Sequence, residues 1–202
     1  MDSTAGITLA IQEAARDMGL PVPAREVASH VIGLGLYDSL RGAVPSLPIE
    51  RYKDFVELYR KHFHAQQETM ELFPGVPEML EELRSREHRL AVATGKSRRG
   101  LDHALQVTGM GAYFAASRCA DETTPKPHPA MLLELMQENG FEARDLLMIG
   151  DTSHDLGMAK SAGVDAVAVG YGAHPLASLS AWNPRAAVNN VEELRQWLAT
   201  NA

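Results

Sequence analysis

Apolar residues recur with two different periods along this chain, and the change between them falls near Phe73. Before it the spacing is helical. Ile7, Ala10, Ile11, Ala14, Ala15 and Met18 fall on one helical face. Asp2, Ser3 and Thr4 precede them with the oxygens that suit a helix cap, and Pro21 and Pro23 stop the pattern. A second apolar pattern over 24–36 is broken by Gly33 and Gly35. The third helix is the clearest: Tyr52, Phe55, Val56, Tyr59 and Phe63 form a stripe opposite Arg51, Lys53, Asp54, Glu57 and Arg60. Phe73-Pro74-Gly75 ends the helical region.

From there short apolar runs alternate with helical patterns. Helices are predicted over 76–86, with Pro77 tolerated in the first turn, and over 98–107, 129–139, 156–162 and 191–199. Gly140 stops the third of these. Strands are predicted over 88–94, 113–119, 146–149 and 166–169. Such alternation implies an α/β fold with a parallel, doubly wound sheet. The expected organisation is an α/β core from residues 1–4 and 72–202 with a helical module over 5–71.

Composition narrows the function classes. Hydrophobic residues are 45% and charged residues 22%, an ordinary globular balance. A formal charge of −7 lacks the basic footprint of a nucleic-acid binder. The single cysteine, Cys119, can form neither an internal disulfide nor a cysteine-based zinc site, which suits a reducing cytoplasm. No apolar run approaches the roughly 20 residues of a membrane span, and the start lacks the basic and apolar stretch of a signal peptide. The expectation is an acidic cytoplasmic protein that binds neither nucleic acid nor membrane.

Three segments place polar groups at or beside the carboxyl ends of predicted strands, where open parallel sheets bind ligands. Thr94-Gly95-Lys96-Ser97 offers a hydroxyl and, at Gly95, an accessible backbone near a helix start, which suits a phosphate oxygen or a plain capped turn. Thr124-Pro125-Lys126-Pro127-His128-Pro129 pins one lysine between prolines, fixing where its ammonium is carried. Gly150-Asp151-Thr152-Ser153-His154-Asp155 follows an apolar run with two carboxylates that could bind a hard cation such as Mg²⁺. Asp155 equally suits a helix cap. Together the hydroxyl, ammonium and carboxylates describe a site for a phosphoryl group with a divalent metal.

Other motifs are weaker. Gly95-Lys96-Ser97 matches the end of a P-loop, but Leu90 stands where its first glycine belongs. His62 and His64 lie on different helix faces without a third ligand, so surface placement is expected. Lys96, Arg98 and Arg99 read as a solvated helix start that could attract an anion.

Ala-Thr-Gly-Lys-Ser, Thr-Pro-Lys-Pro-His-Pro and Ile-Gly-Asp-Thr-Ser-His-Asp resemble the second, third and fourth motifs of the haloacid dehalogenase superfamily. Their spacing, the Phe-Pro-Gly-Val-Pro-Glu segment and the helical region before it resemble its phosphoglycolate phosphatase-like branch. The resemblance implies a Rossmann-like three-layer core with a helical cap over about 5–71 that sets the substrate, a small phosphorylated metabolite. It also implies Mg²⁺-dependent hydrolysis of a phosphate monoester through an aspartyl-phosphate, by a monomer or homodimer. Thr94, Gly95 and Lys126 would contact the phosphoryl group, with Lys126 also steadying the nucleophile. Asp151 would ligate Mg²⁺, and Asp155 would support it directly or through water.

The first family motif, D-x-D-G-T-L-x-D-S, is matched here only by Met1-Asp2-Ser3, so Asp2 corresponds to its last aspartate. The nucleophile and the first strand are expected upstream of Met1. Without that strand the sheet would be unstable or patched by dimerisation, and the chain as written would not turn over a phosphate ester. A non-catalytic phosphate-binding homologue and a sugar-phosphate mutase of the same fold are the alternatives. The Gly-Asp-Thr-Ser-His-Asp segment favours phosphate chemistry over dehalogenation.

Overall fold

A computed structural model describes residues 2–67 and 71–202, which separate into two compact units: Met1–Ile32 with Leu36–Glu71, and Gly33–Gly35 with Leu72–Ala202. The first unit is helical. Helix α1 (Thr4–Asp17) packs chiefly on α4 (Tyr52–Gln67). Ala10, Ala14 and Ala15 are fully buried on α1, as Phe55 is on α4, so the small side chains leave room for the aromatic one. His62 Nε2 lies 2.8 Å from Asp17 Oδ2, which gives that histidine a structural partner.

One expectation for this region changes. Ser3 is the N-cap residue of α1, yet its side chain makes no capping hydrogen bond. The apolar pattern over 24–36 is broken at Gly33, as the sequence implies. It holds α2 (Arg25–His30), a turn in which Gly33 has φ +95°, and the start of α3 (Leu36–Ala43). A left-handed residue cannot continue a right-handed helix, so the apolar period outruns the helix.

The second unit alternates α5 (Val76–Ser85), β1 (Leu90–Thr94), α6 (Arg98–Thr108), β2 (Phe114–Cys119), α7 (Ala130–Asn139), β3 (Leu147–Gly150), α8 (Ser153–Ala162), β4 (Asp165–Val169), α9 (Leu176–Ser180), β5 (Ala186–Val188) and α10 (Val191–Asn201). It is an α/β fold with parallel strands. β1 pairs with β2, with Thr94 opposite Cys119. β3 pairs with β4, and β4 with β5, in a second sheet. Helix α9 and strand β5 have no signal in the apolar pattern, because five and three residues are too short to show a period.

Two apolar clusters anchor the strands. Met79 and Leu83 of α5 meet Val167 and Val169 of β4, Val188 of β5, and Leu194 and Leu198 of α10. Met131, Leu132 and Met136 of α7 meet Met158 and Ala159 of α8, with Ala93 of β1 and Met148 of β3 packed against them. The second cluster therefore holds the strands whose carboxyl ends carry Thr94 and Asp151. Among the described strands, β1 and β3 are each paired on one side only. Ile149 of β3 is 36% exposed, whereas Val167 and Ala168 of the central β4 are fully buried. Among the described residues, no helix is long and apolar enough to cross a membrane.

Candidate active site

The turn from β3 into α8 is built as a reciprocal cap. Thr152 Oγ1 accepts from Asp155 N at 3.2 Å, while Asp155 Oδ2 accepts from Thr152 N at 3.0 Å and from Thr152 Oγ1 at 2.7 Å. Asp155 Oδ1 faces Lys126 Nζ at 2.5 Å. Burial alone would raise the Asp155 pKa, but the Lys126 charge and the bonds from Lys126 and Thr152 carry it below the ordinary value. Both oxygens of Asp155 thus meet protein donors. Gly150 is required beside it, because a Cβ there would overlap the Asp155 side chain.

Asp151 is held from a different loop. Its Oδ2 accepts from Ala173 N at 2.8 Å, and its backbone carbonyl accepts from His174 N at 3.1 Å. A Cβ on Gly172 would overlap the carboxylate, so the 170–174 segment lies directly against it. Burial, and then the charge of Asp155, pushes the Asp151 pKa up. Tyr171 is pushed up to about 12 by burial and by Asp151. Lys126 is already engaged by Asp155, so the Asp151 charge is the one this cluster leaves least compensated.

Thr94 ends β1, and its Oγ1 accepts from Lys96 N at 3.1 Å. Gly95 is close-packed: a Cβ would lie 2.6 Å from the Gly33 carbonyl oxygen. The Gly33–Gly35 stretch also reaches the other two segments. A Cβ on Gly33 would lie 3.3 Å from Thr152 Oγ1, and one on Gly35 would lie 2.7 Å from Pro125 Cγ. One short stretch of backbone therefore touches neighbours of all three segments singled out in the sequence. Through it the segments that carry Thr94, Gly95, Lys126, Asp151 and Asp155 converge.

The expected solvated cation cluster holds only in part, with Arg99 exposed. Lys96 is partly buried, and burial pushes its pKa down. Arg98 is committed to Glu122, donating through Nε at 2.8 Å and Nη2 at 2.7 Å. Leu90, where a P-loop needs glycine, is paired in β1 with Phe114. Among the described residues, no group of three or more His, Cys, Asp or Glu side chains is gathered as a metal cage.

The 170–174 segment is what sequence reasoning missed. Gly170-Tyr171-Gly172 follows the apolar run of β4, so the strand-end logic applied to Thr94 and Asp151 would have reached it. It carries no acidic or basic side chain before His174, which is why it drew no notice.

The fold is of the α/β class, with a hydroxyl (Thr94) and a carboxylate (Asp151) at the carboxyl ends of parallel strands, where open sheets of this kind place their ligand sites. Residues 1–169 match the haloacid dehalogenase-like hydrolase family, and the chain belongs to it. By family it is a hydrolase of the phosphatase type, similar to the phosphoglycolate phosphatase-like members. It is 36% identical over 200 residues to a probable phosphatase, IndB, of Dickeya dadantii, covering 96% of this chain and 86% of that one. A phosphoglycolate phosphatase of Vibrio parahaemolyticus is 29% identical over 212 residues, covering 100% and 92%. The fold is shared with a hydrolase from Pseudomonas syringae, at a TM-score of 0.90 and 20% identity over 100% of this chain and 94% of that one.

Proposed function

We propose that this chain belongs to a Mg²⁺-dependent phosphatase acting on a small phosphate monoester of the phosphoglycolate kind through an aspartyl-phosphate. The observation that carries the reading is the division of labour between two neighbouring carboxylates, Asp155 buried and Asp151 partly buried. Asp155 is occupied by Lys126 and Thr152, whereas Asp151 is kept beside it with a pKa that burial has raised. A partly buried carboxylate of that kind is stabilised by a cation, and Mg²⁺ binds through one or two carboxylates plus water and phosphate oxygens. The donor set fits such an ion with Asp151 as its protein ligand. When bound, Mg²⁺ supplies charge that offsets the negative phosphoryl oxygens.

The chain's own residues do the rest. Thr94 Oγ1 and the Gly95 backbone N–H orient one phosphoryl oxygen. The Lys126 ammonium, aimed by Asp155, offsets charge as it spreads over the equatorial oxygens. The helical residues 5–71 act as the cap that selects the organic part of the substrate. A nucleophilic carboxylate on a further strand, paired with the sides of β1 and β3 left open among the described strands, would complete the site. The one-sided pairing of both strands and the exposure of apolar Ile149 support this.

Phosphate release from a panel of phosphorylated metabolites tests the reading. It is measured with Mg²⁺ or EDTA, for the 202-residue chain and for the chain extended by the in-frame upstream coding sequence. Mg²⁺-dependent release by the extended chain alone, lost in Asp151→Asn, is the expected result. Turnover by the shorter chain overturns the placement of the nucleophile. Binding of phosphate without turnover by either overturns the enzyme reading in favour of a non-catalytic homologue.

A further inference from the structure

We propose that His174 is a positioning residue for Asp151, setting the direction of its carboxylate by tying together both sides of the turn that carries it. The inference rests on the reading of Asp151 as a metal ligand and goes beyond it to a residue on another loop. His174 is buried, with 4% of its surface exposed. Its backbone N donates to the Asp151 carbonyl at 3.1 Å, and its ring Nδ1 accepts from Ser153 N at 3.0 Å. One residue thus grips the turn immediately at Asp151 and again two residues later. In between, Ala173 N donates to Asp151 Oδ2 at 2.8 Å and Gly172 packs flat against the carboxylate.

The bond from Ser153 requires an unprotonated Nδ1, so the neutral ring carries its proton on Nε2. The ring also stands edge-to-face with His154, with centroids 5.2 Å apart. Ser153 opens α8, so its N–H is one of the amides that the helix itself leaves without a partner. A ring acceptor delivered from the β4 side satisfies that amide and prevents the 151–153 turn from rotating. Groups that orient a metal ligand from outside the coordination shell typically govern affinity by about 10–100-fold.

A plain packing role predicts that any side chain of similar volume would serve. The positioning role predicts that the place of the acceptor matters. An asparagine side chain would hold its carbonyl oxygen where Nδ1 now lies, whereas a glutamine carbonyl would fall nearer Nε2. The variants are therefore His174→Asn, His174→Gln and His174→Leu. Two measurements apply: hydrogen exchange at the Ser153 amide without metal, and Mn²⁺ affinity by paramagnetic resonance, with Asp151→Asn as the control. His174→Leu and His174→Gln are expected to speed Ser153 exchange and weaken Mn²⁺ about tenfold or more. His174→Asn is expected to restore both. Equal behaviour of the Asn and Gln variants, or wild-type Mn²⁺ affinity in His174→Leu, overturns the proposal. Should wild type bind no Mn²⁺, the metal reading of Asp151 fails, while the exchange pattern still reports the hold of His174 on the turn.

Discussion

Lys126 Nζ lies 2.5 Å from Asp155 Oδ1, with the two side chains only 6% and 4% exposed. Because Oδ2 of the same carboxylate is fixed by Thr152, Asp155 cannot turn away, and the lysine is aimed as well as neutralised. A buried ion pair is not in itself a large source of stability, since both charges lose their hydration. Breaking it from one side is another matter.

Lys126→Met strands the Asp155 carboxylate away from water. The expected loss is about 3–5 kcal/mol, read from the urea midpoint at constant m-value. Adding Asp155→Leu to that variant removes the stranded charge and is expected to recover a large part of the loss, although neither variant would bind phosphate. A double variant no more stable than Lys126→Met would mean that the pair is solvated and that its burial has been misread.

Thr8 sits on the buried face of α1, and its Oγ1 has no hydrogen-bond partner among the described residues. A hydroxyl sealed without a partner carries a desolvation cost of about 1–3 kcal/mol. Valine has nearly the same shape and the same branching at Cβ, so neither volume nor helix preference changes much. Thr8→Val is expected to stabilise the protein by about 1 kcal/mol, a rise of about 2–4 °C in Tm for a chain of this size. Thr8→Ala, which leaves a void, is expected not to show the rise.

Much of the fold was legible because its main elements carry either a period or an apolar run of their own. The stripe from Tyr52 to Phe63 and the apolar run before Asp151 each announce the element that they form. The short pieces did not, since β5 exists only through its pairing with β4, and pairing is not a local property. The site divides the same way. Thr94 and Asp151 stand out by their place after apolar runs, Lys126 by its flanking prolines and Asp155 by its spacing from Asp151. What Asp155 does was hidden, because whether a carboxylate faces a metal or a lysine depends on a residue 29 positions away. Gly172, Ala173 and His174 were hidden for a related reason: two of the three act through backbone alone.

Two glycines separate the effect of site geometry from that of backbone strain. Gly172→Ala places a methyl group against the Asp151 carboxylate. The overpacking is expected to cost about 1–3 kcal/mol, and in displacing the carboxylate it should also weaken Mn²⁺ binding. Gly163, at φ +70°, caps α8 and has only the Ala143 Cβ within 4.0 Å of a built Cβ. Gly163→Ala is expected to cost about 1–2 kcal/mol through the left-handed backbone and to leave Mn²⁺ affinity as it was. Thermal melts with and without Mn²⁺ distinguish the two, and equal metal affinity in both variants would contradict the placement of Gly172.

The two carboxylates give opposite pH signatures in the metal-free protein. Asp155 has a folded pKa below its ordinary value of 3.8. Its contribution is present above that ordinary value and is lost as the pH falls through the folded pKa. Asp151 has a folded pKa above 3.8, so between the two values the native state binds the proton more tightly than the unfolded chain does. Its stabilising share is therefore full below 3.8 and disappears as the pH rises through the folded value. At neutral pH the ionised Asp151 is a net cost unless a cation is bound. Asp151→Asn keeps an acceptor for Ala173 N and removes the charge. The variant is expected to melt above wild type at neutral pH in EDTA, to lose that advantage below about pH 4, and to show no stabilisation by Mg²⁺. Melting curves across pH with EDTA, then with Mg²⁺, measure all three. A variant less stable than wild type in EDTA at neutral pH would show that the Asp151 charge is already compensated by the protein.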